Sequence, residues 1–320
     1  MRPFEPKDLK KLKTYTLSQR HSLANRKDMG NPIKSTTCSL NDFFNSLPQF
    51  MMATDLLKVA QHMQLVKASG KCIHVSVGSH VIKNGLSRYL VDWMKRGFIQ
   101  TISFNGSALI HDFELAYVGH TSENVDAGID TGAFGVPEET NVFIHQAILD
   151  GKGVGLGAAV GKAILAKAQF AEDSVLAQAY ALKVPATVHV AIGTDVIHLH
   201  PNFSPEITAQ ESLIDFHHFV RSISMLEDGM YFNIGSAVIL PEVFLKAVTL
   251  VRNLGYSLEN FWAVNLDFIR QYRPRRNVLE RPTQKGGKAI ELIGPHELLI
   301  PLLHAASLHK FSKPERVSKV

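Results

Sequence analysis

The sequence predicts an α/β protein built on a doubly wound, mostly parallel sheet of the Rossmann-like type. Short β-rich segments alternate with helical segments from about residue 72 to the end of the chain. The first two predicted strands are each followed by a loop of small and polar residues and then by a helix, which is typical of a βαβ unit. In such sheets, ligands bind beyond the carboxyl ends of the strands.

Composition and charge narrow the class of protein. The chain has 320 residues, of which 45% are hydrophobic and 20% charged, enough to form a full globular core. The formal net charge of +5 does not require a nucleic-acid partner. Two cysteines, Cys38 and Cys72, exclude a disulfide scaffold and fit a reducing compartment.

The N-terminal segment, residues 1–38, is polar and rich in lysine, which predicts an arm. Residues 39–320 are predicted to form a single α/β domain, beginning with a helix over 44–69 that ends at Gly70. We see no secretory signal and no apolar run of roughly 20 residues, so we expect a cytoplasmic protein that does not enter a membrane.

The remaining elements follow from the alternating pattern. The predicted strands are 72–77, 99–104, 186–192, 230–234, 261–266 and 289–293. The predicted helices are 86–94, 108–118, several within 141–182, 211–226, 241–254 and 297–308. Residues 119–140 are predicted to be a glycine-rich insertion or loop, and residues 267–287 a loop rich in arginine and proline.

Two motifs resemble ligand sites but have simpler interpretations. Residues 153–158 formally match G-x-G-x-x-A, yet they follow a helical pattern rather than a strand, so we predict a glycine turn that opens a close-packed helix. His198 and His200, with Asp195 nearby, contain zinc-binding residue types, but a metal site needs three or four converging ligands. A metal-dependent hydrolase using His198 and His200 is therefore an alternative, and no metal ligand is assigned.

Three further stretches leave alternatives open. Asp195, at the end of a predicted strand, could bind a ribose hydroxyl or an amine, or could simply cap a helix. Lys288, after two glycines, could form a Schiff base in a cleft or lie in a solvated turn. The arginines in 270–276 could bind phosphate or carboxylate, or form a solvated loop or a subunit contact.

Five stretches in this order resemble the deoxyhypusine synthase family, particularly its divergent bacterial members. They are residues 75–114, 131–148, 183–195 (KVPATVHVAIGTD), 215–239 and 286–306 (GGKAIELIGPHELLIPLLHAA). The resemblance implies an NAD cofactor, transfer of an aminobutyl group from spermidine, and a lysine imine. It also implies a homotetramer whose sites are shared across a dimer interface.

The resemblance assigns roles to individual residues. It places Ser79, Asn105, Gly106, Ser107, Asp112, Thr194, Asp195, Gly235 and Ser236 at the cofactor. It makes Lys288 the imine-forming lysine, and His111 is a candidate for moving protons. The family's acidic pair that binds the polyamine has no counterpart in 267–276, which is basic here.

The sequence therefore predicts a deoxyhypusine-synthase-like, NAD-dependent aminoalkyl transferase acting on an amine or polyamine. The missing acidic pair favours an alternative from another class, a non-catalytic nucleotide-binding or regulatory paralogue. The expected partners are a small-molecule amine and further copies of the chain. Neither the donor nor the acceptor can be named, and a translation-factor partner is not assigned.

Overall fold

A computed structural model describes residue 7 and residues 9–311. The other residues of the predicted arm, 1–6 and 8, lie outside the described part, as do residues 312–320 of the predicted domain. Over 9–38 the chain has nearly all its side chains exposed and forms two short 3₁₀ turns, Leu17–Gln19 and Arg26–Asp28.

Six parallel strands form one sheet, which confirms the predicted fold class. The strands are β1 (Ile73–Val77), β2 (Thr101–Asn105), β3 (Ala186–His189), β4 (Met230–Ile234), β5 (Trp262–Asp267) and β6 (Lys288–Ile293). Their order is β3-β2-β1-β4-β5-β6, and all five pairings are parallel. The direction of winding reverses between β1 and β4, so the switch point of the sheet lies at the carboxyl ends of these two strands.

Helices cover both faces of the sheet. They are α1 (Leu40–Ser46), α2 (Met51–Ala68), α3 (Ser79–Lys83), α4 (Ser87–Lys95), α5 (Gly106–Val118), α6 (Val125–Ile129), α7 (Glu138–Asp150), α8 (Leu156–Lys167), α9 (Val175–Ala181), α10 (Pro205–Ile223), α11 (Ile239–Asn253) and α12 (His296–Ser307). One apolar cluster joins Val75, Ile102 and Val264 of the sheet to α2, α4, α5, α9 and α12. The other joins Tyr231 and Ala263 to α10, α11 and the segment after β5.

A row of polar side chains crosses the face covered by α10 and α11, buried on β1 to β5 and half-buried at Glu291 of β6. Each strand contributes one residue in register: Thr187, Ser103, Ser76, Asn233, Asn265 and Glu291. Some neighbours are hydrogen-bonded: Ser103 Oγ lies 2.8 Å from Thr187 Oγ1, and Asn233 Nδ2 donates to Asn265 Oδ1 at 2.8 Å. These bonds offset part of the cost of burying polar groups inside a sheet, whereas Asn233 Oδ1, Asn265 Nδ2 and Glu291 Oε1 have no partner among the described residues.

Several elements differ from the sequence prediction; α10, for example, begins at Pro205 rather than 211, and the predicted loop over 119–140 contains α6. The helix predicted over 44–69 is two helices, α1 and α2, because Pro48 lacks an amide hydrogen and holds Leu47 in an extended conformation. Strand β3 ends at His189 rather than 192, since its partner β2 ends at Asn105 and offers no further hydrogen bonds. The loop predicted over 267–287 contains a π-helix, Pro274–Glu280.

No helix in the described part of the chain is both long and apolar enough to cross a membrane.

Candidate functional site

A cavity of about 630 Å³ lies beyond the carboxyl ends of β2 and β3. Its walls come from α5, the insertion over 119–140 and the loop that follows β3. Four predicted site residues from two segments line it: Ser107 and His111 of α5, and Thr194 and Asp195 of the loop after β3. The structure thus brings these four side chains together at the edge of the sheet where ligands of this fold bind.

The first turn of α5 forms one wall of the cavity. Asn105 ends β2 and caps α5, because its side-chain oxygen accepts the amide hydrogen of Ala108 at 3.0 Å. The next residue is Gly106, where a Cβ would lie 2.2 Å from Oδ2 of Asp195. The missing side chain therefore lets the Asp195 carboxylate lie directly on the turn.

Asp195 is the carboxylate at the positive end of α5. Its side chain is buried and accepts hydrogen bonds from the backbone of Ala191, at 3.4 Å, and of Ser107. Burial raises the pKa of Asp195 to about 6, although both hydrogen bonds oppose that change. Asp195 can therefore exchange a proton close to neutral pH.

A hydrogen-bond network centred on Glu114 forms a second wall. His111 Nδ1 lies 2.7 Å from Thr121 Oγ1, and this hydroxyl donates to Glu114 Oε2. Thr140 donates to Glu114 Oε1 at 3.1 Å. Burial by itself would raise the pKa of Glu114, but the hydrogen bonds from His111, Thr121 and Thr140 together hold it below its ordinary value. Glu114 is therefore held as an anion beside His111.

The lining is acidic and partly aromatic. Its carboxylates are Glu114, Glu123, Glu139 and Asp195, and its aromatic rings include Phe113, Tyr117 and Phe134. Lys83 is the only lysine or arginine among the described residues that line it. Carboxylates accept hydrogen bonds from hydroxyl and amino groups and repel phosphate. The cavity therefore suits a nucleoside or an amine better than a phosphate group.

Ser79, Gly235 and Ser236 lie at the switch point rather than in the cavity. A Cβ on Gly78 would lie 2.0 Å from the carbonyl oxygen of Gly235, so the loops after β1 and β4 pack backbone to backbone. Gly235 also has a φ of 65°, which glycine adopts without strain. Ser236 Oγ accepts the amide hydrogen of Leu240 at 3.3 Å, inside the first turn of α11.

Asp112, which the resemblance assigns to the cofactor, lies on the opposite side of α5 from the cavity and does not line it. Its carboxylate accepts hydrogen bonds from Ser174 Oγ at 2.6 Å and from the amides of Val175 and Leu176 at 2.8 and 3.0 Å. Burial raises its pKa to about 6 against these hydrogen bonds. Asp112 therefore anchors the start of α9, and its oxygen atoms have no room for a ligand.

Lys288 lies at the amino end of β6, at the opposite edge of the sheet from the cavity. It is exposed, and its Nζ lies 4.2 Å from the centroid of the Trp262 ring on the neighbouring strand. His62 of α2 stacks on the same indole, with 3.8 Å between ring centroids. One chain therefore does not bring Lys288 to the residues that line the cavity.

The glycine turn before α8 opens a close-packed helix, as predicted. The amides of Gly153 and Gly155 donate to Glu211 at 2.7 and 2.9 Å, and a Cβ on Gly157 would lie 2.2 Å from a carbonyl oxygen of β3. No three histidine, cysteine, aspartate or glutamate side chains within the described residues converge to hold a metal ion.

Some residues of the site were missed by the sequence prediction. Glu114 follows His111 by three residues, so helical spacing alone would have placed the two on one face of α5. Thr121 and Thr140 carry no such signal, because they reach the cavity from the insertion and from α7. A second cluster, described below, joins Asp267 to His80 and His296 across three separate elements.

Comparison with known proteins shows the fold and no closer relationship. No family model and no curated protein matches the chain. A "putative deoxyhypusine synthase" from Entamoeba histolytica superposes with a TM-score of 0.51 and 10% identity, over 87% of this chain and 95% of that one. A "conserved putative LOR/SDH protein" from Methanococcus maripaludis S2 gives a TM-score of 0.50 and 16% identity, over 96% and 75%.

Two larger enzymes share the same fold. AgrE, in a ternary complex with ornithine and NAD⁺, matches with a TM-score of 0.51 and 15% identity, over 79% of this chain and 32% of AgrE. ArgZ, a cyanobacterial arginine dihydrolase of the ornithine-ammonia cycle, matches with a TM-score of 0.50 and 16% identity. The chain spans about a third of the length of ArgZ, 33%.

Proposed function

We propose that this protein is an NAD-dependent enzyme that acts on a small amine. One observation carries the proposal: two segments, α5 with Ser107 and His111 and the loop after β3 with Thr194 and Asp195, line one cavity at the carboxyl edge of a sheet in the order β3-β2-β1-β4-β5-β6. Sheets with this order bind dinucleotides across the switch point. The AgrE structure, which holds NAD⁺ and ornithine, offers a precedent for this fold.

The residues present fit the nucleoside half of such a cofactor. Asp195 is placed to accept a hydrogen bond from a ribose hydroxyl, and Phe134 and Tyr117 offer ring surfaces for the base. Lys83 of α3, which lines the cavity, would balance the charge of a pyrophosphate that leaves the cavity toward the switch point. A bound nicotinamide would supply hydride transfer, and the chain itself would supply binding and proton acceptors.

Within the cavity, His111 and Glu114 form an acid–base pair linked through Thr121. Glu114 holds the Thr121 hydroxyl, and this fixes the orientation of the His111 ring. We propose that His111 takes up a proton from a bound hydroxyl or amino group. His111 is half-buried, so it can do this without a large rearrangement.

Aminoalkyl transfer through Lys288 is the finer part of the proposal. Because Lys288 lies at the amino edge of the sheet, it can meet a cofactor bound at the carboxyl edge only if a second copy of the chain presents it. The transferase function therefore goes together with a homo-oligomer, a tetramer on the resemblance, in which two chains share each site. A nucleotide-binding protein without catalysis is the alternative, and it would bind NAD without reducing it.

Calorimetric titration with NAD⁺ tests the proposal. We expect binding by the wild type, and weaker binding by Asp195→Asn and by Gly106→Ala, whose methyl group would displace the Asp195 carboxylate. Glu138→Gln is the matched control, because Glu138 does not line the cavity whereas Glu139 does. Absence of binding by NAD⁺, NADP⁺ and AMP would refute the nucleotide site. Binding of NAD⁺ with no amine-dependent formation of NADH would favour the non-catalytic alternative.

A further inference from the structure

A second polar cluster lies at the carboxyl edge of the sheet, in the half formed by β4, β5 and β6. It consists of Asp267 at the end of β5, Phe268 after it, His296 at the start of α12 and His80 on α3, and we refer to it as the Asp267 cluster. The three ring centroids lie 5.5, 5.7 and 6.4 Å apart, so the rings form a triangle. His80 and Phe268 are exposed to solvent.

Asp267 is a nearly buried carboxylate, 2% exposed. Its Oδ1 accepts the amide hydrogen of Phe268 at 2.8 Å. Burial raises the pKa of Asp267, while the nearby His296 and His80 lower it. No lysine or arginine in the described part of the chain forms a salt bridge with it. The carboxylate is therefore left without a permanent cation.

His296 is fully buried, and only one of its two ring nitrogens has a hydrogen-bond partner among the described residues. Its Nε2 donates to the carbonyl oxygen of Leu266 at 3.3 Å, so Nδ1 carries the lone pair. Nδ1 has no hydrogen-bond partner among the described residues. A buried polar atom without a partner is unfavourable, and such atoms call for an explanation. A ligand group or a water that the ligand holds would provide the missing partner.

The position of the cluster indicates which end of a ligand it would meet. The cavity belongs to the half of the sheet formed by β1, β2 and β3, and the Asp267 cluster belongs to the other half. In this fold the two halves bind the two ends of a dinucleotide across the switch point. A substrate that reacts with the end of the dinucleotide bound outside the cavity would lie against His80, Phe268 and Asp267.

We propose that the Asp267 cluster is the binding site for the ammonium group of the amine substrate, which rests on the proposed function above. The Asp267 carboxylate balances the positive charge, and the ring of Phe268 adds a cation–π contact. The ring of His80 lies 5.5 Å from that of Phe268, between centroids, and a ring nitrogen of His80 can accept a hydrogen bond from the ammonium group.

Titration of the full-length protein with 1,4-diaminobutane, compared with the uncharged butan-1-ol, tests the assignment. We expect the diamine to bind and butan-1-ol not to bind. Asp267→Asn should weaken diamine binding by about tenfold or more, since a hydrogen-bonded charge pair is lost. His80→Ala and Phe268→Ala, which change exposed side chains, should each weaken it about threefold. His217→Ala, elsewhere on the surface of α10, is the control and should bind like the wild type.

The outcomes separate this proposal from the proposed function. Three outcomes would overturn the assignment. The wild type does not bind the diamine, or His80→Ala and Phe268→Ala bind it like the wild type, or binding is lost in Glu114→Gln instead. NAD⁺ affinity should be unchanged in His80→Ala. If the diamine binds as expected but NAD⁺ does not bind, the NAD-dependent function fails and the ammonium site stands.

Discussion

Oδ2 of Asp215, on α10, accepts the amide hydrogen of Gly157, in the first turn of α8, at 2.9 Å. The same oxygen accepts the amide of Val188 at 2.7 Å, and Glu211 holds the two glycine amides that precede α8. The amino end of a helix attracts anions, and here the chain's own carboxylates occupy it. The glycine-rich turn is therefore a site of internal packing, and a phosphate could enter only by displacing both side chains.

Replacing Asp215 by asparagine should change how stability depends on pH. Burial is the main cause that raises the pKa of Asp215 from 3.8 to about 7, and the nearby Glu211 adds to it. The folded chain then holds a proton that the unfolded chain has released, so this stabilisation is complete below about pH 4 and is lost as the pH rises through 7. The free energy of unfolding that is lost between these two pH values amounts to roughly 4 kcal/mol.

Urea unfolding at pH 5 and pH 8 measures this effect. We expect the free energy of unfolding of the wild type to fall between these pH values, and that of Asp215→Asn to fall clearly less. An equal fall in both proteins would mean that Asp215 does not carry the buried proton.

Asp112→Ala should destabilise the fold without weakening cofactor binding. The change leaves Ser174 and the amides of Val175 and Leu176 without their acceptor, at a cost of roughly 3 kcal/mol. Ser174→Ala, which removes the cap of α9 and one of the three hydrogen bonds to Asp112, should cost less, about 2 kcal/mol. Chemical denaturation gives the stability, and titration of the folded protein gives the NAD⁺ affinity. A variant of normal stability that no longer binds NAD⁺ would restore the cofactor role that the resemblance implies.

Two inactive variants should restore activity when they are mixed. If Lys288 acts on a cofactor held by a neighbouring chain, Asp195→Asn lacks one part of the shared site and Lys288→Ala lacks the other. Unfolding and refolding the two together would create mixed oligomers in which some sites are intact. Turnover of the mixture, with sedimentation as the check on assembly, is the measurement. A monomer in sedimentation, or full turnover by Lys288→Ala alone, would exclude a shared site.

Removing the charge of Lys288 should raise the pKa of His62. Partial burial lowers the pKa of His62 to about 4, and the positive charge of Lys288 is the second cause. Lys288→Gln should therefore bring the pKa only part of the way back, because burial against Trp262 remains. Lys288→Arg keeps the charge and should leave it low. An NMR titration of the imidazole protons measures the change, and identical curves for wild type and Lys288→Gln would contradict it.

The sequence by itself determined the sheet and the location of its ligand edge. All six strands were predicted within a few residues, because alternating hydrophobicity and turn residues are local properties of the chain. The small and polar residues after β1 and β2 also predicted loops at that edge. Local patterns do not predict a strand end that a neighbouring strand sets. No residue near His189 shows that β3 ends where β2 ends.

Only the tertiary structure decided which polar residues share a site. Asp112 and His111 are adjacent in sequence, yet one lies under α9 and the other in the cavity, because successive residues of a helix point in different directions. The resemblance links Lys288 to the cofactor. Lys288 is, however, the first residue of β6, and the first residue of a strand lies at the amino edge of a parallel sheet. Asp267 ends β5, and His296 begins the helix that follows β6. The two residues lie close together because β5 and β6 are neighbours in the sheet. That strand order depends on the crossover connections, which no local sequence pattern predicts.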